Sequence, residues 1–461
     1  MKKIKALIYL FLGVLGASGQ SITLDPSNSS GAIIESKSNN QGVILSRMNT
    51  AERKAIPNPK SGTLVFDTDK SRYFLYDGNT WLALKLDLET DLSATERTME
   101  NVQGNIPYIA VAIDKKWAAV GLSTETVNGL NSKGAVLIFE KTIEGWIQKA
   151  KISPTDGQAN DGFGESVALK GDSLMVGARN SANANGVRGA VYFYRNITTY
   201  SPYTGTLKFW NQQAKIQSNI NSTTHSNFGQ EIQFDQNHLA VSTNGEDGIV
   251  YIYNNTGQGY TFAQTIQIPS LTLNTLGRTI SLSGDYLAIG APYNKNESNM
   301  ETGAVYIFVK GGGTWTLQES LYGNTVLDRF GTAVCLNDNV LFVGIPKVNT
   351  DQGRVHYFLR NGSSWNLKDV LSASQAYLTP VYQESLNFGS KLVAYDDWLF
   401  VSSLTSVVSV FKRNELGFYR LYDSINCKKY PSADVVNLAT DGTSLIIGNY
   451  ENKKVKFVNF E

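Results

Sequence analysis

FGESVALKGDSLMVGARNSANANGVRGAVYFY, residues 163–194, decides the fold. Val167 and Leu169 alternate with small or polar residues, as in a short strand, and Gly171-Asp172 makes a tight turn. Leu174, Met175 and Val176 form a second strand that stops at Gly177. A polar loop of Asn, Ser and Gly follows, and Gly189 opens a third strand from Ala190 to Tyr194. A fourth strand runs from Trp210 through Ile216. Short apolar runs bounded by Gly, Asn and Asp are strand and hairpin signals.

The same spacing recurs along the chain. Phe-Gly returns at Phe228-Gly229, Phe330-Gly331 and Phe388-Gly389, with Leu276-Gly277 as a variant. Eleven residues after the Phe or Leu stands Leu174, Leu239, Leu287, Leu341 or Leu399; fourteen residues after it stands Gly177, Ser242, Gly290, Gly344 or Ser402. Third strands open at Gly134, Gly189, Gly248, Gly303 and Gly353. Fourth strands begin with an aromatic at Trp146, Trp210, Phe262, Trp315, Trp365 and Tyr419. Ile152, Ile216, Ile268, Leu321, Leu371 and Ile425 follow six residues later.

Units of roughly 45–65 residues with four short strands predict a β-propeller, in which each sheet buries both faces against its neighbours. The Phe is expected between adjacent blades, and the Gly where backbones crowd. The segments FGESVALKGDSLMVGA, GAVYFY, LGRTISLSGDYLAIGAP, GAVYIF and GTWTLQESL resemble the FG-GAP repeat of integrin-α-like propellers, in its bacterial variant with a short Gly-Asp turn. The resemblance covers about residues 105–461, and two degenerate copies, 107–152 and 433–461, raise the count to seven. It implies an all-β, seven-bladed propeller of four-stranded blades. The chain departs from the integrin pattern in one respect. The first hairpin turns, such as Lys170-Gly171-Asp172 and Asn337-Asp338-Asn339, are too short to wrap six or more oxygens around calcium. No metal and no cofactor is expected.

The chain has 461 residues and a net charge of +1, so no basic field attracts nucleic acid. Cys335 and Cys427 read as free, buried thiols, and His225, His238 and His356 assemble neither a metal site nor a triad. No catalytic residue is assigned.

Residues 1–19 read as a signal peptide: Lys2, Lys3 and Lys5, an apolar run from Ala6 to Leu15, then Ala17-Ser18-Gly19. No later stretch is apolar for long enough to span a membrane as a helix. The expectation is export, to the periplasm or the medium. Residues 20–88 read as a small β-rich N-terminal module. Thr50-Ala51-Glu52-Arg53 is a short helical or capped turn, and strands at Thr63–Phe66 and Tyr73–Tyr76 flank an Asp67-Thr68-Asp69-Lys70 turn. The segment is similar to a module of secreted proteins of Bacteroidetes-type bacteria, somewhat like pieces of phage tail fibres. That likeness implies an accessory cap or an oligomerisation element. Residues 89–104 read as a linker. The last unit lacks its fourth strand, and some part of residues 83–100 is expected to supply it.

Loops after second strands and loops between blades emerge on one face of a propeller. That places Asn180, Asn183, Asn185, Tyr293, Asn294, Asn296, Glu297, Asn299, Glu301, Tyr377 and Tyr382 on one rim, where amides and aromatics suit a glycan or protein ligand. The competing reading of each Asn is simple turn formation. A long loop, Asn196–Leu207, is expected on the opposite face. The function expected is a binding or adhesion module. The alternatives are a propeller-based carbohydrate-active hydrolase or lyase, and a structural subunit of a cell-surface assembly.

Overall fold

The computed structural model describes residues 22–24, 34–36, 46–69, 72–83, 93–99, 109–183, 186–201, 205–218, 227–243, 248–267, 279–347, 352–372, 387–403, 407–426, 436–449 and 454–460. Two compact units divide the chain, residues 1–86 and 87–461. The signal segment, Cys427, His225 and the Leu276-Gly277 variant lie outside the described residues.

In the first unit, Arg47–Met48 pairs in parallel with Leu64–Asp67, which continues antiparallel to Arg72–Tyr76 and Trp81–Ala83. A parallel pair needs a crossover, and here it is the short helix Thr50–Lys54. Its capping box explains the turn read from sequence. The Asn49 side chain accepts from the Glu52 amide at 2.9 Å, and the Glu52 carboxylate accepts from the Asn49 amide at 2.8 Å.

In the second unit, seven four-stranded antiparallel sheets follow one another among the described residues. Blade 1 comprises Ala110–Asp114, Trp117–Leu122, Ala135–Thr142 and Gly145–Ile152; blade 2 comprises Val167–Lys170, Ser173–Ala182, Arg188–Ser201 and Gly205–Gln217. Blades 3 to 6 start at Ile232, Thr279, Ala333 and Leu392. Blade 7 consists of Asn437–Thr440, Ser444–Asn449 and Lys454–Asn459, completed by Ser93–Thr98. That strand lies antiparallel to Lys454–Asn459, with Phe457 opposite Thr95. Sequence-distant ends thereby share one sheet and close the ring. Met99, just beyond the strand, is buried in one core with Ile109, Val120 and Phe457. The seven innermost strands line a common axial cavity of about 310 Å³.

The Phe-Gly motif joins neighbouring blades. Phe163, Phe228, Phe330 and Phe388 form parallel bridges to Gly134, Gly189, Gly303 and Gly353, the glycines that open third strands in the preceding blades. All four rings are fully or almost fully buried. The Gly of each motif adopts a positive φ (96° at Gly164, 94° at Gly389), and its amide donates to the second strand of its own blade, as from Gly164 to the Gly177 carbonyl at 2.9 Å.

Two sequence readings are corrected. The aromatic that starts the fourth strand of blade 3 is Tyr260, not Phe262. Val250 pairs with Ile266, as Val136 pairs with Ile152 and Val305 with Leu321, so Tyr260 stands six residues before the partner. Tyr260 packs edge-on against Phe193, whereas Phe262 is 43 % exposed. Ile268 lies outside the described residues. Asn196–Leu207 is not a loop, because the third and fourth strands of blade 2 run on as a ribbon, with Ile197 opposite Phe209 and Thr199 opposite Leu207. The residues Ile-Thr-Thr-Tyr and Thr-Leu-Lys-Phe favour that extended pairing.

Candidate functional site

The bridges from Gly303 to Phe330 and from Gly353 to Phe388 place each loop after a second strand beside the loop that enters the next blade. These two loop classes therefore form one face. One well-built part lies between blades 4 and 5, where residues 292–302 meet residues 323–329. The Leu327 amide donates to the Glu301 carbonyl at 2.7 Å, and the Phe330 amide to the Thr302 carbonyl at 3.2 Å. The guanidinium of Arg329 lies over the Tyr293 ring, 4.2 Å from its centre, and its Nη1 pairs with the Glu301 carboxylate. Loss of water raises the Asp328 carboxyl above its ordinary range, against the pull of Thr325 and Arg354.

Other rim candidates have local duties. Asn294 is only 4 % exposed, and its amide donates to the Tyr306 hydroxyl, so it braces the loop from inside. The Asn183 side chain accepts from the Val187 amide, and that of Asn296 from the Ser298 and Met300 amides. Asn299 supplies a left-handed turn residue, φ 60°. Asn180 belongs to the strand Ser173–Ala182 rather than to a loop. Glu297 is exposed. Asn185, Tyr377 and Tyr382 lie outside the described residues.

A second feature of this face was missed from sequence. The mouth of the axial cavity carries Glu165, Glu231 and Lys391, which follow Phe-Gly motifs in blades 2, 3 and 6. Burial raises the Glu231 carboxyl, and Lys391 and Gln233 pull it down. Burial likewise raises Glu165, against Arg179 at 2.9 Å. Strand-start positions next to Phe-Gly are the signal that could have found them. Asp161, in contrast, caps a turn by accepting from the Gln158 amide at 2.9 Å. Among the described residues, no group of three or more His, Cys, Asp or Glu side chains is placed to hold a metal ion.

An FG-GAP repeat family model matches residues 146–194 and 274–308. The first match runs from the last strand of blade 1 across Phe163-Gly164 to the third strand of blade 2, and the second reaches into the third strand of blade 4. With seven successive four-stranded sheets, the chain is an FG-GAP repeat protein. A second model, a phage tail like trimerisation region, matches residues 22–97. Of the two roles read for the N-terminal module, this finding favours oligomerisation over a simple cap. The chain matches no curated protein. No helix among the described residues is long and apolar enough to cross a membrane.

Proposed function

We propose that the chain is an exported, non-catalytic binding or adhesion module. It recognises a glycan or protein through the loop face of the propeller, and its N-terminal region presents the face in three copies. The signal segment and the likeness to secreted Bacteroidetes-type proteins support export. The observation that carries the binding reading is the Tyr293–Arg329–Glu301 cluster. It joins two loops, is held by stacking and an ion pair, and so costs little ordering when a ligand arrives. Trimerisation adds avidity without new contacts.

The test is binding of the chain to a glycan array and a panel of matrix proteins, with Arg329→Ala beside it. Saturable binding lost in the variant supports the reading. Binding that survives Arg329→Ala and Tyr293→Ala removes it from this rim.

One observation favours a second reading, a carbohydrate-active enzyme. Glu165 and Glu231 are two carboxyls raised by burial at one cavity mouth, a property of general acids. Turnover of a polysaccharide that Glu231→Gln abolishes would establish that reading in place of the first.

A further inference from the structure

The rim between blades 4 and 5 holds three exposed aliphatic side chains. Met300 is 42 % exposed, Val326 47 % and Leu327 53 %. Among the described residues, other large exposed apolar side chains stand apart from this rim, for example Leu317 on an outer strand, Leu416 in a hairpin turn and Phe209 on the blade 2 ribbon. The hydrogen bond from the Leu327 amide to the Glu301 carbonyl brings Leu327 beside the Met300 loop.

Leu327 adopts φ 67°, a left-handed conformation that a branched side chain resists and that glycine or asparagine would take without strain. Arg329, two residues on, is also left-handed at φ 63°. The loop thus holds a leucine in a costly conformation with its side chain outward. Strain retained at an exposed position points to use of that side chain. The rigid Arg329–Tyr293 stack stands beside it.

A sugar is bound by open aromatic faces and amides. Here the Tyr293 face is covered by Arg329, and Asn294 is turned inward to Tyr306. Exposed aliphatic side chains instead suit a polypeptide. We infer that Met300, Val326 and Leu327 anchor one large apolar side chain of an extended polypeptide, with the Arg329–Tyr293 stack as the wall of the contact. The inference rests on the loop-face reading above and selects protein over glycan.

The test is selection of a displayed library of random dodecapeptides on the purified chain, followed by titration of the synthetic consensus peptide. The expected result is a consensus with one fixed Leu, Ile, Met or Phe. Its affinity falls at least tenfold in Leu327→Gly and in Met300→Ser, and is unchanged in Phe209→Ser. Leu327→Gly keeps the left-handed backbone without the side chain, so its Tm stays equal or rises, which separates lost contact from lost fold. A consensus whose binding ignores Leu327→Gly overturns the inference. Glycan binding lost in Arg329→Ala, with no peptide consensus, also overturns it while the loop-face reading stands. Silence of both libraries removes both.

Discussion

A methyl group on Gly344 would stand 2.0 Å from the carbonyl oxygen of Gly389 in the next blade. The same is true of Gly121 against Gly164 at 2.0 Å, Gly177 against Gly229 at 2.3 Å and Gly290 against Gly331 at 2.2 Å. Each second strand that carries one of these glycines is followed by a blade that opens with Phe-Gly. Ser242 and Ser402 hold the equivalent place in blades 3 and 6, and the next repeats there lack Phe-Gly. The two glycines form one contact, split between neighbouring repeats.

Gly344→Ala should therefore destabilise strongly, by at least about 2–3 kcal/mol, because the obstructing atom is backbone and cannot rotate away. Gly311→Ala is the control, since a Cβ there meets nothing within 4 Å, and its effect should lie between neutral and a gain of about 1 kcal/mol. Denaturant unfolding of both variants measures the contrast. Equal effects would remove the blade-contact explanation.

This contact also shows why the fold could be read and parts of the site could not. Phe, Gly and the strand leucines recur because every blade faces the same neighbour, so spacing alone exposes them. Tyr260 and Phe262 are two aromatics only two residues apart, and the pairing of Val250 with Ile266 is what shows that Tyr260 holds the repeat position. Asn294 resembles any turn asparagine until Tyr306 is placed under it. Glu231 and Lys391 are 160 positions apart and share one cavity lining only because the sheets form a ring.

Closure of that ring by Ser93–Thr98 gives a second prediction. A chain beginning at residue 87 should melt as a closed propeller, and one beginning at residue 100 should melt lower by on the order of 10 °C. The shorter chain loses six cross-strand pairs along Lys454–Asn459 and the buried Met99. Coincident melting curves would mean that the strand does not hold blade 7.

Two histidines predict acid sensitivity. Burial lowers His356 to about 4, with Arg354 adding to the effect. His238 is also lowered, first by burial; Asp235 and Asp285 oppose the shift, and Lys310, whose Nζ is 2.6 Å from Nε2, reinforces it. Because each folded value lies below the unfolded value near 6.5, the unfolded chain binds more protons. The stability they contribute is complete above that pH and is lost as pH falls from about 6.5 toward about 4 for His356. The loss through His356 amounts to about 3 kcal/mol at most. The raised Glu165 and Glu231 act in the opposite sense, so the comparison must be made between variants. His356→Gln should show a shallower fall in unfolding free energy between pH 6.5 and 4 than the parent chain. A parallel profile would show that His356 does not drive the loss.

In the N-terminal unit, Arg53 and Asp67 form a buried ion pair, Nε to Oδ2 2.7 Å, with side-chain exposures of 5 % and 0 %. The Thr50 hydroxyl also donates to Asp67, and the guanidinium of Arg53 covers Phe74 at 3.8 Å. Val65, two residues before Asp67 on the same strand, is also buried. The ion pair and its hydrogen bond join the helix to that strand. Arg53→Ala strands a carboxylate away from water and should cost about 3–5 kcal/mol locally. Arg53→Met with Asp67→Leu replaces both charges by apolar groups of similar size and should recover most of that loss. In sedimentation, the single variant should shift the trimer proposed above to monomer while the propeller keeps its Tm, and the double variant should restore that trimer. If the single variant remains trimeric, assembly does not depend on this sheet.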